Sequence, residues 1–306
     1  MKFLLAVLLT VLLTMLLPIR SLFAADSPSF DYDKKAPLDP REQEVAVRNG
    51  VRVSMLTYAN PAAGGRADAM LVAPVVLKGR TAAIIWIHSG GYYNQLSDAV
   101  LMADAGAVSL LVNAAAPAGE GAEAYRDSMI ATVINLRRAV DLLSARPGID
   151  PQRIAFVGHS FGAMMGTVAG AVDKRFKAGV FEVGLLGMSI HLRTSPHPWA
   201  AGVRKGLGDG LENFLRVIEP VDAVHYVGKL APTVLLFQSA RIDPGVPDKD
   251  AQDFFDAASE PKELKWYDTG HEVLDIRAIS DRARFLAKQL GLPPVEPILK
   301  AKIGVK

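Results

Sequence analysis

No cysteine occurs anywhere in the 306 residues. That absence removes disulfides, thiolate nucleophiles, cysteine-ligated metals and lipid attachment through cysteine. Such a chain must stand on its core alone, and at this length it can bury enough apolar surface to do so. Excess charge is missing too. The formal net charge is +2, and the two surplus cations, Lys2 and Arg20, lie in the first 25 residues, which hold no acid. The remainder is formally neutral, which argues against nucleic acid or an anionic membrane surface as the main partner. The His-Glu-x-x-His spacing of a zinc site, calcium loops, and the glycine loops that cradle phosphates or dinucleotides are also lacking. The sequence therefore asks for no metal and no cofactor. It also shows no repeat and no low-complexity tract, and it does not disclose an oligomeric state.

Half of the residues are apolar, as a chain that folds requires. Met1 to Ala25 has the makeup of an export signal: Lys2 at the start, an apolar or threonine run from Phe3 to Leu17, and small residues at Ala24-Ala25. The run is shorter than the roughly 20 residues of a spanning helix. It implies a periplasmic or secreted protein. Leu22 or Phe23 occupies a position before the cut where a small residue is usual, so an uncleaved membrane anchor is the alternative.

Residues 26–41, rich in Pro, Asp and Lys, are expected to run extended over the surface. A main domain is expected over 42–290. Glu44 to Arg48, Val51 to Tyr58 and Ala67 to Ala73 alternate at strand spacing, with Asn49-Gly50 suited to a tight hairpin. Continuous apolar runs follow at Ala82 to His88, Val108 to Val112, Arg153 to Val157, Ala178 to Val183, Thr233 to Gln238 and Glu263 to Tyr267. Helical stretches lie among and after them at Leu96 to Ala105, Ala122 to Ala145, Ala163 to Val172, Ala251 to Ala258 and Ile276 to Leu290. This order predicts an α/β fold, a doubly wound and mostly parallel sheet preceded by antiparallel strands. Gly184 to Pro220 is longer than an ordinary connection and forms either a small cap over the site or a peripheral excursion. The tail, residues 291–306, is expected to be mobile or to cross to a neighbouring subunit.

Gly158-His159-Ser160-Phe161-Gly162 lies between an apolar strand and a small-residue helix. That is the setting of a nucleophile elbow, in which the serine sits at the tip of a turn too tight for side chains beside it. A serine hydroxyl needs a base, and the base needs a carboxylate to hold its tautomer. His271 follows the last strand and Asp243 follows the one before it, so both fall at the carboxyl edge of the sheet, where ligands bind. Asp248 and Asp250 are the other candidates for the acid. Charge on a substrate oxygen needs fixed donors; the candidates are the N–H of Phe161 and that of Gly90 or Gly91 after Ala82 to His88. Tyr92 and Tyr93 could line an acyl or alcohol pocket, or simply pack. His88 and His159 are read as structural.

With those residues in place, the stretch from about Ala67 to Leu290 resembles the α/β-hydrolase superfamily, and within it the dienelactone-hydrolase and prolyl-oligopeptidase-like branches. Ser160 stands where some dienelactone relatives have cysteine. Asn113 stands where many relatives have an aspartate after the strand that ends at Val112. The resemblance implies a serine hydrolase acting on a small ester through an acyl-enzyme, with Ser160 as nucleophile, His271 as base and Asp243 as its orienter. A serine peptidase is the alternative enzyme, set back by the want of a large propeller domain ahead of the strands. An inactive binding protein of the same fold is the other reading.

Overall fold

The computed structural model describes residues 28–303 apart from residue 64; the export segment expected at 1–25 lies outside the described residues. Strands β1 (Arg41–Arg48), β2 (Val51–Asn60) and β3 (Gly65–Pro74) form an antiparallel meander. Asn49 and Gly50 join the first two with φ of 51° and 79°, the left-handed pair that a two-residue hairpin needs. After them come β4 (Thr81–His88), β5 (Val108–Val112), β6 (Ile149–His159), β7 (Phe176–Glu182), β8 (Val234–Ala240) and β9 (Lys262–Tyr267), all mutually parallel.

The strand order is β1-β2-β3-β5-β4-β6-β7-β8-β9. From β4 the chain first goes out to β5 and then returns to place β6 on the other side of β4. This reversal makes the carboxyl ends of β4 and β6 a topological switch point, where an open parallel sheet leaves a crevice. His88 and His159 end these two strands in register with each other.

The helices are α1 (Leu96–Asp104), α2 (Gly121–Ala145), α3 (Phe161–Val172), α4 (Met188–Thr194), α5 (Pro198–Leu207), α6 (Leu211–Ile218), α7 (Asp248–Ala257), α8 (Ile276–Leu290) and α9 (Glu296–Ile303). Every residue of β4 is buried, and successive side chains point to opposite faces. Ile85 and Ile87 join Met129, Val133 and Met164 of α2 and α3 in one cluster. Ile84 and Trp86 join Met102 of α1 and Leu286 of α8 in the other. Each such side chain contributes roughly 1.5–3 kcal/mol on burial.

Two expectations need correction. The described part of the tail, up to residue 303, does not lie free: Val295 and Leu299 are buried against the α1 and α8 face, and Lys302 Nζ pairs with Asp104 at 2.8 Å. Its apolar residues found a place in the chain's own second core. The stretch before β1, expected to run extended over the surface, is irregular and strapped down. Phe30 is buried with its carbonyl accepting from Arg137 Nη1 at 2.6 Å, and Arg138 donates to the carbonyls of Ala36, Pro37 and Ala59.

Candidate active site

β6 ends at His159 and α3 begins at Phe161, so Ser160 is the whole of the turn. Its φ of 53° and ψ of −114° lie where a non-glycine residue is rarely found and where about 1–3 kcal/mol of strain is typical. A Cβ at Gly158 would overlap the Gly162 carbonyl, and one at Gly162 would overlap the Ile87 carbonyl. The turn is held by Ser160 N–H donating to Glu182 O at 2.9 Å and by Ala163 N–H donating to Ser160 O at 2.9 Å.

His271 and Asp243 come to this serine from the loops after β9 and β8. Ser160 Oγ lies 3.0 Å from His271 Nε2, and His271 Nδ1 lies 2.7 Å from Asp243 Oδ2. The Asp243 side chain is 0% exposed, and its other oxygen accepts the N–H groups of Gly245 at 2.7 Å and Val246 at 3.2 Å. Ile242 N–H donates to Thr269 O at 3.1 Å, tying the two loops together. Burial pulls the His271 pKa down, but the hydrogen bond and charge of Asp243, with the charge of Glu272, outweigh it and the net shift is upward. Asp248 and Asp250 instead open α7, and Asp248 pairs with Arg241 at 3.0 Å.

Beneath these groups the His88 and His159 rings stack 3.9 Å apart at 9°. His159 Nε2 meets the His271 carbonyl at 2.8 Å, so this nitrogen carries the proton, and Nδ1 is left to accept from Ser89 Oγ at 3.4 Å. His88 Nδ1 accepts the Gly90 N–H at 2.8 Å, so its proton sits on Nε2, 3.2 Å from Glu272 Oε2. Burial above all pushes both pKa values down to about 4. The pair is therefore neutral at ordinary pH and acts as a post under two loops. Among the described residues His88, His159 and Glu272 are the group whose ligand atoms lie close enough to share an ion. Stacked rings 3.9 Å apart, however, hold their lone pairs in two near-parallel planes, whereas a metal needs two of them to converge on one point at about 2.0–2.1 Å.

The Phe161 N–H is at the first helical position, where no intrahelical acceptor exists. Gly90 and Gly91 are placed differently from the expectation. Gly90 N–H is taken by His88 Nδ1, and Gly91 N–H by His88 O at 3.1 Å. The next amide, of Tyr92, donates to Asn113 Oδ1 at 3.1 Å; an asparagine oxygen serves there as an aspartate would.

A cavity of about 390 Å³ opens at Ser160, with Ser89, Phe161, Asp243 and His271 in its wall and Tyr125, Met164, Met188, His191, His197 and Trp199 around it. Gly184 to Pro220 thus supplies one wall through α4 and α5. Tyr92 and Tyr93 are not in the lining: Tyr92 packs on the α1 side of the sheet, and Tyr93, in contact with it, is 65% exposed. Tyr125 was not legible as a site residue, because nothing in the pattern of α2 distinguishes it from a residue packed on the core. A larger hollow of about 470 Å³ lies beside Thr81 and Arg153, at the opposite edge of the sheet, and contains no histidine.

A family model, that of the prolyl oligopeptidase family, matches residues 94–291. No curated protein matches the chain. Among solved structures, an acetyl xylan esterase from Paenibacillus sp. R4 superposes with a TM-score of 0.70 at 18% identity, covering 82% of this chain and 89% of that one. Acetyl xylan esterase 1 from Thermoanaerobacterium sp. JW/SL YS485 gives 0.68 at 15%, covering 83% and 88%. Est1E from Butyrivibrio proteoclasticus gives 0.60 at 15%, covering 82% and 99%. At these identities the likeness is one of fold, and the fold is the α/β-hydrolase sheet with antiparallel strands at its start.

Proposed function

The chain belongs to the prolyl oligopeptidase family and is a serine hydrolase, and from that premise we propose that it cleaves a carboxylic ester of modest size through an acyl-enzyme. One observation carries this reading: the continuous relay from Asp243 through His271 to Ser160, at 2.7 and 3.0 Å. Ser160 Oγ attacks the ester carbonyl carbon while its proton passes to His271 Nε2. Asp243 holds the opposite N–H and stabilises the imidazolium that results. As the tetrahedral intermediate collapses, the carbon–oxygen bond to the alcohol breaks and His271 returns the proton to the leaving oxygen. Water then repeats the sequence on the acyl-serine, with His271 again as base, and releases the acid.

The cavity favours esters over peptides. Among the described residues its walls are mainly apolar or aromatic, and besides Asp243, already committed to His271, they offer no lysine, arginine or carboxylate to grip a peptide terminus. Fold neighbours named acetyl xylan esterases put acetylated carbohydrate among the first substrates to try. The family name keeps a peptidase as the second reading. A fluorophosphonate probe separates enzyme from binding protein: we expect labelling of the parent and none of Ser160→Ala. An unlabelled parent would overturn the proposal. A panel of p-nitrophenyl esters, acetyl xylan and aminoacyl peptide substrates then decides between the activities, and turnover of peptides alone would favour the peptidase.

We further propose export, on the makeup of residues 1–25. Amino-terminal sequencing of the protein recovered outside the cytoplasm should begin just after Ala24 or Ala25; a chain retained in the membrane with Met1 in place would point to an anchor.

A further inference from the structure

We propose that the side-chain hydroxyl of Ser89 is the second donor to the substrate oxyanion, beside the N–H of Phe161. This rests on the hydrolase reading above and identifies a catalytic group within it. The loop after β4 must supply this donor, because it leaves the sheet beside the elbow. The amides of Gly90, Gly91 and Tyr92 are already engaged: they are bonded to His88 Nδ1, His88 O and Asn113 Oδ1. Ser89 is the member of this loop that lines the cavity with Ser160, Phe161 and His271.

Register explains the placement. His88 and His159 are paired on adjacent parallel strands, so the next residues, Ser89 and Ser160, leave the sheet side by side, with the two strands about 4.8 Å apart. An oxygen on a carbon bonded to Ser160 Oγ then comes within reach of a donor on the neighbouring chain. Among the described residues Ser89 Oγ has one polar partner, His159 Nδ1 at 3.4 Å, at the far limit for a hydroxyl bond. That contact is easily exchanged. As the Ser160 Oγ–carbon bond forms and the carbonyl electron pair moves onto oxygen, the Ser89 O–H turns from a long contact with a neutral acceptor to an anionic one. No proton is transferred. The interaction strengthens only as charge develops, which is the condition for it to lower the barrier rather than tighten ground-state binding.

The test compares Ser89→Ala and Ser89→Thr with the parent on a p-nitrophenyl ester, alongside thermal melting. Loss of one oxyanion donor predicts that Ser89→Ala lowers kcat about 10²-fold while KM stays within about twofold, and that fluorophosphonate labelling of Ser160 slows in step. Ser89→Thr keeps a hydroxyl and should recover most of the loss. If the alanine chain does not fold, Ser89→Gly is read in its place. A folded variant lacking the hydroxyl, with kcat within about threefold of the parent, overturns the inference and leaves the hydrolase reading intact, since an amide of the loop would then be the donor. A threonine variant that melts with the parent yet is as slow as alanine also overturns it. A parent that neither turns over esters nor takes the probe overturns both.

Discussion

His271 has two ring nitrogens, and Asp243 decides which one faces Ser160. With Nδ1–H held at 2.7 Å by a fully buried carboxylate, Nε2 is left as the acceptor. Asp243→Asn can present its N–H to Nδ1 and reverse that assignment. Steady-state assays should show kcat lower by about 10⁴-fold with the fold retained; a loss below tenfold would mean that the tautomer is set elsewhere. The base works only when neutral, and its pKa lies above the ordinary imidazole value, so kcat/KM should fall with decreasing pH through a limb above about 6.5. Glu272 is one of the charges raising that pKa. Glu272→Gln should therefore move the limb to lower pH, and a profile that stays put or moves upward would contradict the assignment. The His88 and His159 pair works in the opposite sense. Their folded pKa values of about 4 lie below the unfolded imidazole value, so between those limits the unfolded chain binds more protons and stability falls as pH falls. Urea midpoints at pH 7 and pH 5 should separate less for His159→Phe than for the parent.

At the scale of elements, Asp222 decides how α4 is set. Its carboxylate accepts the N–H groups of Met188 at 2.8 Å and Ser189 at 3.0 Å, and also the Ser189 hydroxyl. Asp222→Ala would leave buried donors of the first turn unpaired at about 1–3 kcal/mol. Because α4 brings Met188 and His191 to the cavity, the melting temperature should drop and KM should rise with a smaller change in kcat. A destabilised variant with unchanged KM would show that substrate does not touch this wall. The same scale separates what could be read from the sequence and what could not. β4, β6 and β8 are buried on both faces, so each prints as an apolar run, and parallel strands must deliver their following loops to one edge. With the elbow pattern and the chemistry a serine base requires, that placed Ser160 and Asp243, while His271 follows β9, whose residues are mostly half-exposed. Where the loop after β4 sends its groups depends on contacts between distant segments: His88 against Gly90, Asn113 against Tyr92, Tyr92 against the α1 face. No local pattern records those. The helix at Glu296–Ile303 was hidden for a similar reason, since Val295, Ile298 and Leu299 gain meaning only beside α1.

For the molecule as a whole, one buried polar cluster ties the sheet to the helices on one side and lies directly under the elbow. Arg282 of α8 donates to Glu182 of β7, to Gln238 Oε1 of β8 at 2.8 Å and to Asp98 of α1 at 3.0 Å. Gln95 Nε2 donates to the second Glu182 oxygen at 3.1 Å, and the Glu182 backbone carbonyl holds the Ser160 N–H. Arg282→Met would keep the volume but leave the Glu182 carboxylate in an apolar interior without its counter-charge. Such losses typically cost about 3–5 kcal/mol, a large part of the roughly 5–15 kcal/mol that holds a domain folded. Replacing both partners, as Glu182→Met with Arg282→Met, should restore much of this, because no buried charge is then left unpaired and Asp98, 18% exposed, can turn to water. Chemical denaturation of the two single variants and the double one closes a thermodynamic cycle. A double variant no more stable than Arg282→Met would show that the cluster stabilises through its geometry and not through charge compensation. Because Glu182 also supports the serine turn, Arg282→Met should lose fluorophosphonate labelling at denaturant concentrations below its global midpoint, while the double variant should lose both together.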